Sequence, residues 1–372
     1  VIVIDADAHV MESEQTWAYL EPEFYARRPV VVTLPEDTSL GVFNAAWLID
    51  EQIQVFGASP AVGTRSLRKS YSLDSQNLWG TDARLKDMDQ RKTDYQVVHP
   101  TFALLNLCED VVLEAALMRS YNTFMAEKYK ESGGRLLYAA MVPFRSPELA
   151  VKEIQRVVAM GGAVAIYVRG LEWDRPLHDR LFYPIYEEAQ RHDLAISVHV
   201  GSGSPKMRSV FSSQERIRGE EPFWPGGMKR LIGPMTVQFG FYSLAETSLS
   251  IDFPKLRWGF LEATGSEWLL GAVGALERAG KGHSRRLFDE GRIFVSVEPS
   301  EDFAYMANRF GSDFMVFGSD MPHQDEAAHG NLVEEFSAPA EKLGDEFKQK
   351  LFWRNAARLY AFTPKSFVPN PA

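Results

Sequence analysis

Eight apolar, strand-like runs, each followed by a helical stretch where the pattern is readable, constrain this 372-residue chain more than any other feature. The first is Val1-Ile2-Val3-Ile4, running into Asp5-Ala6-Asp7-Ala8-His9. The others cover 94–100, 136–142, 163–168, 194–200, 256–262, 292–298 and 314–320. Runs that are apolar without alternation suit parallel strands buried on both faces. Helical spacing occupies 82–90, 109–131, 147–160, 178–192 and 226–247, with a final helix over 347–360, and Gly161-Gly162 stops the third. Eight such units close a parallel barrel, so the expected fold is an α/β (β/α)8 TIM barrel. A barrel of this kind takes ~250 residues. The surplus falls to an irregular insertion at 21–80 after strand one, a Gly/Ser/Pro loop after His199, and a C-terminal helical extension. No repeat or low-complexity linker divides the chain, which predicts one domain over 1–372. The insertion is rich in Trp, Phe and Leu, and long segments without periodicity are commonly functional, so 21–80 is expected to serve as a lid or an interface.

A parallel barrel carries its chemistry at the C-terminal ends of its strands. Those ends supply Asp7 and His9 on strand one, His99 on strand two, Arg169 on strand four and His199 on strand five. Strand six ends in Glu262, strand seven in Glu298 and strand eight in Asp320. Buried ionisable groups need mutual pairing or a cation. A period of two would set Asp5, Asp7 and His9 on one strand face, and carboxylate oxygen and imidazole nitrogen are both ligands for zinc or manganese. Taken alone, D-x-D-x-H also fits a strand running out into a polar loop. His199, between Val198 and Val200, is a poor core residue and a good ligand. His99 and Arg169 are candidates for holding substrate, Arg169 as a bidentate clamp on a carboxylate; a loop hydrogen bond and a structural ion pair are the alternatives. Asp5 and Glu298 read as groups that orient a ligand, and His323 as a cap on the strand-eight loop. No Gly-rich phosphate loop, nucleophile elbow or Cys/His zinc motif competes with this site.

The formal charge of −10, with no dense basic cluster, argues against nucleic acid or an anionic membrane surface as partner. No apolar run reaches the ~18 residues of a membrane span, and the start lacks a basic leader. Cys108 is the single cysteine, which excludes an intrachain disulfide and favours a reducing cytoplasm.

The motifs taken together resemble the amidohydrolase superfamily, and within it amidohydrolase family two, which includes aminocarboxymuconate-semialdehyde, resorcylate and vanillate-type decarboxylases. The resemblance runs through Ile4-Asp5-Ala6-Asp7-Ala8-His9, Arg84-Leu85 with Met88-Asp89 and Asp94, and Ser197-Val198-His199-Val200-Gly201. It continues through Phe260-Leu261-Glu262 with Trp268, Ser296-Val297-Glu298-Pro299, Phe317-Gly318-Ser319-Asp320-Met321-Pro322-His323 and Asn355 to Tyr360. It implies one divalent metal ion, zinc first, with manganese or iron as alternatives, on Asp7, His9, His199 and Asp320. Asp320 would double as acid and base. Two positions depart from the pattern: many relatives have histidine at Asp7, and muconate-type decarboxylases have a water-activating histidine at Glu262. An extra carboxylate favours a harder metal. The implied activity is non-oxidative decarboxylation of a small aromatic or unsaturated carboxylic acid. The alternative is hydrolysis of an ester, lactone, amide or C–C bond through metal-bound hydroxide, with Glu262 or Asp320 as base. A barrel that only binds or scaffolds is disfavoured by the intact ligand set. The resemblance also allows a homodimer.

Overall fold

The computed structural model describes residues 2–33, 45–54, 71–210, 229–280, 283–323 and 332–364. Eight strands pair in chain order in one sheet: β1 (Ile4–Val10), β2 (Tyr95–Pro100), β3 (Leu136–Ala140), β4 (Ala163–Arg169), β5 (Ala195–His199), β6 (Trp258–Leu261), β7 (Ile293–Ser296) and β8 (Met315–Val316). Every pairing between neighbours is parallel. The last strand returns to the first. Ala6 N–H donates to the Phe317 carbonyl at 2.9 Å, and Asp320 N–H donates to the Asp7 carbonyl at 2.8 Å. The expected (β/α)8 barrel is therefore the observed fold. All residues of β1, β2, β3, β5, β6, β7 and β8 are buried, which is why the runs read as continuous and not alternating.

The strand limits differ from expectation in ways that bear on the site. β1 begins at Ile4, so Asp5-Ala6-Asp7-Ala8-His9 lies within the strand. Its register against β2 shifts, with Asp5 opposite Gln96 but Ala8 opposite Val98, so β1 carries one extra residue. A bulge breaks the period of two, and Asp5 does not share its face with Asp7 and His9. β6, β7 and β8 end before Glu262, Glu298 and Asp320, which lie in the loops that follow. Glu262 has φ 50° and Asp320 φ 51°, left-handed conformations that end an extended strand.

The covering helices include α1 (Thr81–Gln90), α2 (Val111–Glu131), α3 (Pro147–Met160), α4 (Tyr183–Arg191) and α5 (Lys229–Glu246). Asp110 caps α2 by accepting from the Val112 and Leu113 amides, so that helix starts two residues later than its spacing suggested. From α1 the buried Arg84 donates to the carbonyls of His9 and Met321 at 2.7 and 3.3 Å and to Gln96 Oε1 at 2.8 Å, stapling β1, β2 and the loop after β8. The C-terminal extension consists of helical segments Leu332–Glu341, Asp345–Gln349, Lys350–Arg354 and Asn355–Leu359. The Tyr360 hydroxyl that follows donates to the Ala6 carbonyl at 2.7 Å.

The segment expected to be irregular contains a three-stranded antiparallel sheet of Val30–Thr33, Ala45–Ile49 and Gln52–Gln54. Strands this short give no readable alternation. Trp47 on its middle strand is buried, with its ring centroid 6.1 Å from Trp17 and 6.3 Å from Phe102 in edge-to-face contacts. That packing sets the small sheet over the chain leaving β2. The rest of the expected lid, at 34–44 and 55–70, lies outside the described residues, as does 211–228 in the loop after His199. No helix among the described residues is long and apolar enough to cross a membrane.

Candidate active site

Five side chains expected at the strand ends meet at one end of the barrel. β1 delivers Asp7 and His9, β5 delivers His199, and the loops after β6 and β8 deliver Glu262 and Asp320. The Nε2 atoms of His9 and His199 lie 3.0 Å apart. Asp7 Oδ1 is 3.2 Å from His199 Nε2 and 3.7 Å from His9 Nε2. Asp320 Oδ1 is 3.4 Å from His9 Nε2, and Glu262 Oε2 is 3.4 Å from His199 Nε2. Donors held about 2.1 Å from one ion lie about 3.0–3.4 Å from one another in octahedral or tetrahedral arrangements. Asp7, His9 and His199 form one group close enough to share an ion; His9, Glu262, Asp320 and His323 form another.

The chemistry of the donors fits the distances. His199 Nδ1 lies 2.9 Å from the Val200 carbonyl, which can only accept, so Nδ1 carries the proton and Nε2 presents a lone pair to the centre. Burial, together with the neighbouring His323, His199 and His99, holds the His9 imidazole well below its ordinary pKa. The two Nε2 atoms face each other at 3.0 Å, a spacing that suits two donors sharing one cation. The residues present fit one divalent ion.

Neighbouring groups hold these side chains. Asp5 accepts from the Ser319 amide at 2.9 Å, from its hydroxyl at 2.5 Å and from Gln96 Nε2 at 3.0 Å, tying the loop after β8 to β1 and β2. Burial pushes its carboxyl up to about 6. Gly318 crosses directly over the first strand, where an added Cβ would stand 2.8 Å from Asp7 Cβ. The Glu262 amide donates to Ser296 Oγ at 2.9 Å. The His323 amide donates to the Asp320 carbonyl at 2.7 Å within the strand-eight loop. Its Nδ1 also meets Asp320 Oδ1 at 2.7 Å. Glu298 belongs to neither ion-binding group; its amide donates to Glu301 Oε1 at 2.5 Å, next to Ser266, which Glu301 also holds.

The two expected substrate contacts fare differently. His99 sits opposite His9 in register and stacks on His199 with centroids 5.4 Å apart. Its Nδ1 is 3.5 Å from Asp7 Oδ1, and the backbone of Val97 and Ala8 also meets the ring. Burial pushes its imidazole down to about 4. Arg169 is committed elsewhere, and this corrects the reading of it as a clamp on substrate. Its Nε and Nη2 pair with the two carboxylate oxygens of Glu172 at 2.8 and 2.5 Å, and its Nη1 donates to the carbonyls of Ala103 and Leu105. A guanidinium paired in this way has no fork left for a ligand carboxylate.

Three residues escaped sequence reasoning. Glu172, three positions past Arg169, has an i, i+3 spacing that could have drawn notice. Glu12 is fully buried and accepts from the amides of Thr101 and Phe102 at 3.0 and 2.9 Å. Thr101 places its hydroxyl 2.9 Å from His323 Nε2. Neither has a local signal, because both meet their partners only across the folded barrel.

Comparison with known proteins identifies the family. The amidohydrolase family model matches residues 4–362. Gamma-resorcylate decarboxylase of Polaromonas sp. (strain JS666 / ATCC BAA-500) is 24% identical over 157 residues, 41% of this chain, which thus spans about half (48%) of that protein's length. The 2-amino-3-carboxymuconate-6-semialdehyde decarboxylase of Dictyostelium discoideum is 19% identical over 306 residues, 78% of this chain and 79% of that one. Among solved structures, an amidohydrolase from Mycobacterium avium subsp. paratuberculosis K-10 superimposes with a TM-score of 0.75 at 18% identity, covering 96% of this chain and 97% of the other. A 5-carboxyvanillate decarboxylase from Novosphingobium aromaticivorans, complexed with manganese and 4-hydroxy-3-methoxy-5-nitrobenzoic acid, gives 0.63 at 17% identity over 81% and 85% of the two chains. The structural likenesses establish the barrel, and the family match, running almost end to end, establishes that the chain belongs to the amidohydrolase family.

Proposed function

We propose that the chain is a metal-dependent, non-oxidative decarboxylase of a small aromatic or unsaturated carboxylic acid. The observation that carries this reading is the 3.0 Å approach of two imidazole Nε2 atoms, on His9 and His199, among three carboxylates. Asp7, His9, His199 and Asp320 would hold one divalent ion. Bound there, the ion supplies Lewis acidity that draws charge from the substrate as carbon dioxide departs. Imidazoles suit zinc, while the carboxylates suit manganese or iron equally. The decarboxylases among the relatives, one of them solved with manganese, support the reaction class.

Asp320 is the proton donor in this reading. As the carbon–carboxylate bond breaks, its electron pair stays on the ring or alkene carbon and takes the Asp320 proton. The side chain of Asp320 is 15% exposed, at the edge of the buried cluster. His99, stacked on His199 beside Asp7, is the side chain proposed to hold a polar group of the acid. Asp5 and His323 fix the loop that carries Asp320. The whole of 1–372 is read as one domain, with the Trp47 sheet part of the cover over the site.

Hydrolysis is the second reading, and one observation favours it: Glu262 Oε2 stands 3.4 Å from His199 Nε2, where a carboxylate could take a proton from an attacking water. Incubation with a panel of hydroxybenzoates and unsaturated acids in heavy-oxygen water separates the two. Carbon dioxide release with an unlabelled organic product supports decarboxylation; solvent oxygen in the organic product overturns it.

A further inference from the structure

We propose that Thr101 is a positioning residue for Asp320, acting through His323; this rests on the reading that Asp320 moves the proton. Thr101 follows β2 directly and is fully buried. Its hydroxyl lies 2.9 Å from His323 Nε2 and 3.5 Å from His9 Nδ1. His323 Nδ1 lies 2.7 Å from Asp320 Oδ1, and Asp320 Oδ1 in turn lies 3.4 Å from His9 Nε2. The His323 ring packs over that of His9 with centroids 4.2 Å apart. Four side chains thus form a circuit: His9, Thr101, His323, Asp320 and back to His9.

The direction of each hydrogen bond follows from what each atom can do. The Asp320 carboxylate accepts, so His323 Nδ1 carries the proton. If the ring is neutral, its Nε2 is then bare and accepts from the Thr101 hydroxyl. The lone pairs of Thr101 Oγ1 are left facing His9. Of the two neutral tautomers of His323 only this one satisfies the circuit, and it presents a donor to Asp320 Oδ1. Without the hydroxyl, the ring is free to carry its proton on Nε2 and turn a lone pair on the carboxylate, which repels it.

Thr101 holds this place because its own backbone is fixed. Its amide and that of Phe102 donate to the two carboxylate oxygens of Glu12, at 3.0 and 2.9 Å, and Glu12 is fully buried. Thr101 and Glu12 are both sealed from solvent, so Thr101 offers no proton route to bulk water. The role is orientation.

Thr101→Val keeps the branched shape and removes the hydroxyl, while Thr101→Ser keeps the hydroxyl. In the metal-loaded full-length enzyme, on an acid that wild type decarboxylates, Thr101→Val lowers kcat about 10–100-fold with KM and metal content unchanged. Thr101→Ser restores kcat to within about threefold of wild type. A second readout needs no turnover: nitrogen NMR of 15N-histidine protein, with the His323 signals assigned by their loss in His323→Gln. His323 then shows the Nδ1–H tautomer in wild type and Thr101→Ser, and a mixture in Thr101→Val. Wild-type kcat and an unchanged His323 signal in Thr101→Val overturn the proposal. So does metal content falling in step with kcat, which would make Thr101 a support for His9, or a doubly protonated His323 in every variant. If wild type turns over no acid at all, the decarboxylase reading fails by itself and the tautomer readout still decides the part played by Thr101.

Discussion

The Nε2 atom of His9 lies 3.0 Å from that of His199, although 190 positions separate the two residues in the chain. They stand on β1 and β5, four strands apart in an eight-stranded order, so only a closed barrel can bring them together. The Val200 carbonyl fixes the tautomer of His199, and burial keeps His9 uncharged. Held Nε2 to Nε2 among carboxylates, the two rings are preorganised for a cation.

The first prediction follows from that relationship. Purified protein is expected to carry about one transition-metal ion per chain. His199→Ala and Asp7→Ala should each lower occupancy well below wild type. Elemental analysis finding equal metal in the variants would remove both residues from the ligand set.

Asp320→Asn keeps the shape and one oxygen donor while removing the acid. Turnover should fall by about two orders of magnitude or more, with part of the metal retained. A kcat near wild type, measured at matched metal content, would leave Asp320 a structural ligand only.

Glu262 separates the two reactions. In direct decarboxylation it has no essential proton to move, so Glu262→Gln should cost about tenfold or less in kcat. A steep loss of kcat with substrate binding little changed, alongside solvent oxygen in the product, would favour hydrolysis.

Arg169 should matter for stability and not for substrate binding. Its side chain and that of Glu172 are each 4% exposed, so Arg169→Met leaves a buried carboxylate without its counter-ion. Such a loss typically costs about 3–5 kcal/mol. Denaturant unfolding should register it, with KM for the acid little changed in the folded fraction. Wild-type stability combined with a large rise in KM would return Arg169 to the substrate pocket.

The parts of this site that could be read from sequence were those carried by a strand end. His199 closes a buried run and His9 stands one residue before the end of another, and the rule that a parallel barrel works at its C-terminal rim predicts that they meet. Asp320 and Glu262 were legible for the same reason, though the residues themselves lie just past the strands, in backbone turned to positive φ. Asp5 misled because a period of two assumes an unbroken pleat, and the bulge between Asp5 and Ala8 breaks it. Arg169 misled because its partner Glu172 belongs to a short hairpin, Leu171–Glu172 against Arg175–Pro176, too brief to leave a pattern. Thr101 and Glu12 were invisible for a deeper reason. Thr101 meets His323 across 222 positions and Glu12 across 89, and nothing in a local window encodes such meetings.

The seam between Asp7 and Asp320 also sets an order of events at the ribosome. A nascent chain that has released seven strands already carries Asp7, His9, His199 and Glu262, but its sheet still has two open edges. Asp320 arrives only with β8, and its amide closes that sheet on the Asp7 carbonyl as its side chain reaches the centre. Barrel closure and completion of the proposed ion cage are therefore the same step. A product stalled before residue 320 would lack Asp320 and keep both edges bare, open to other strands.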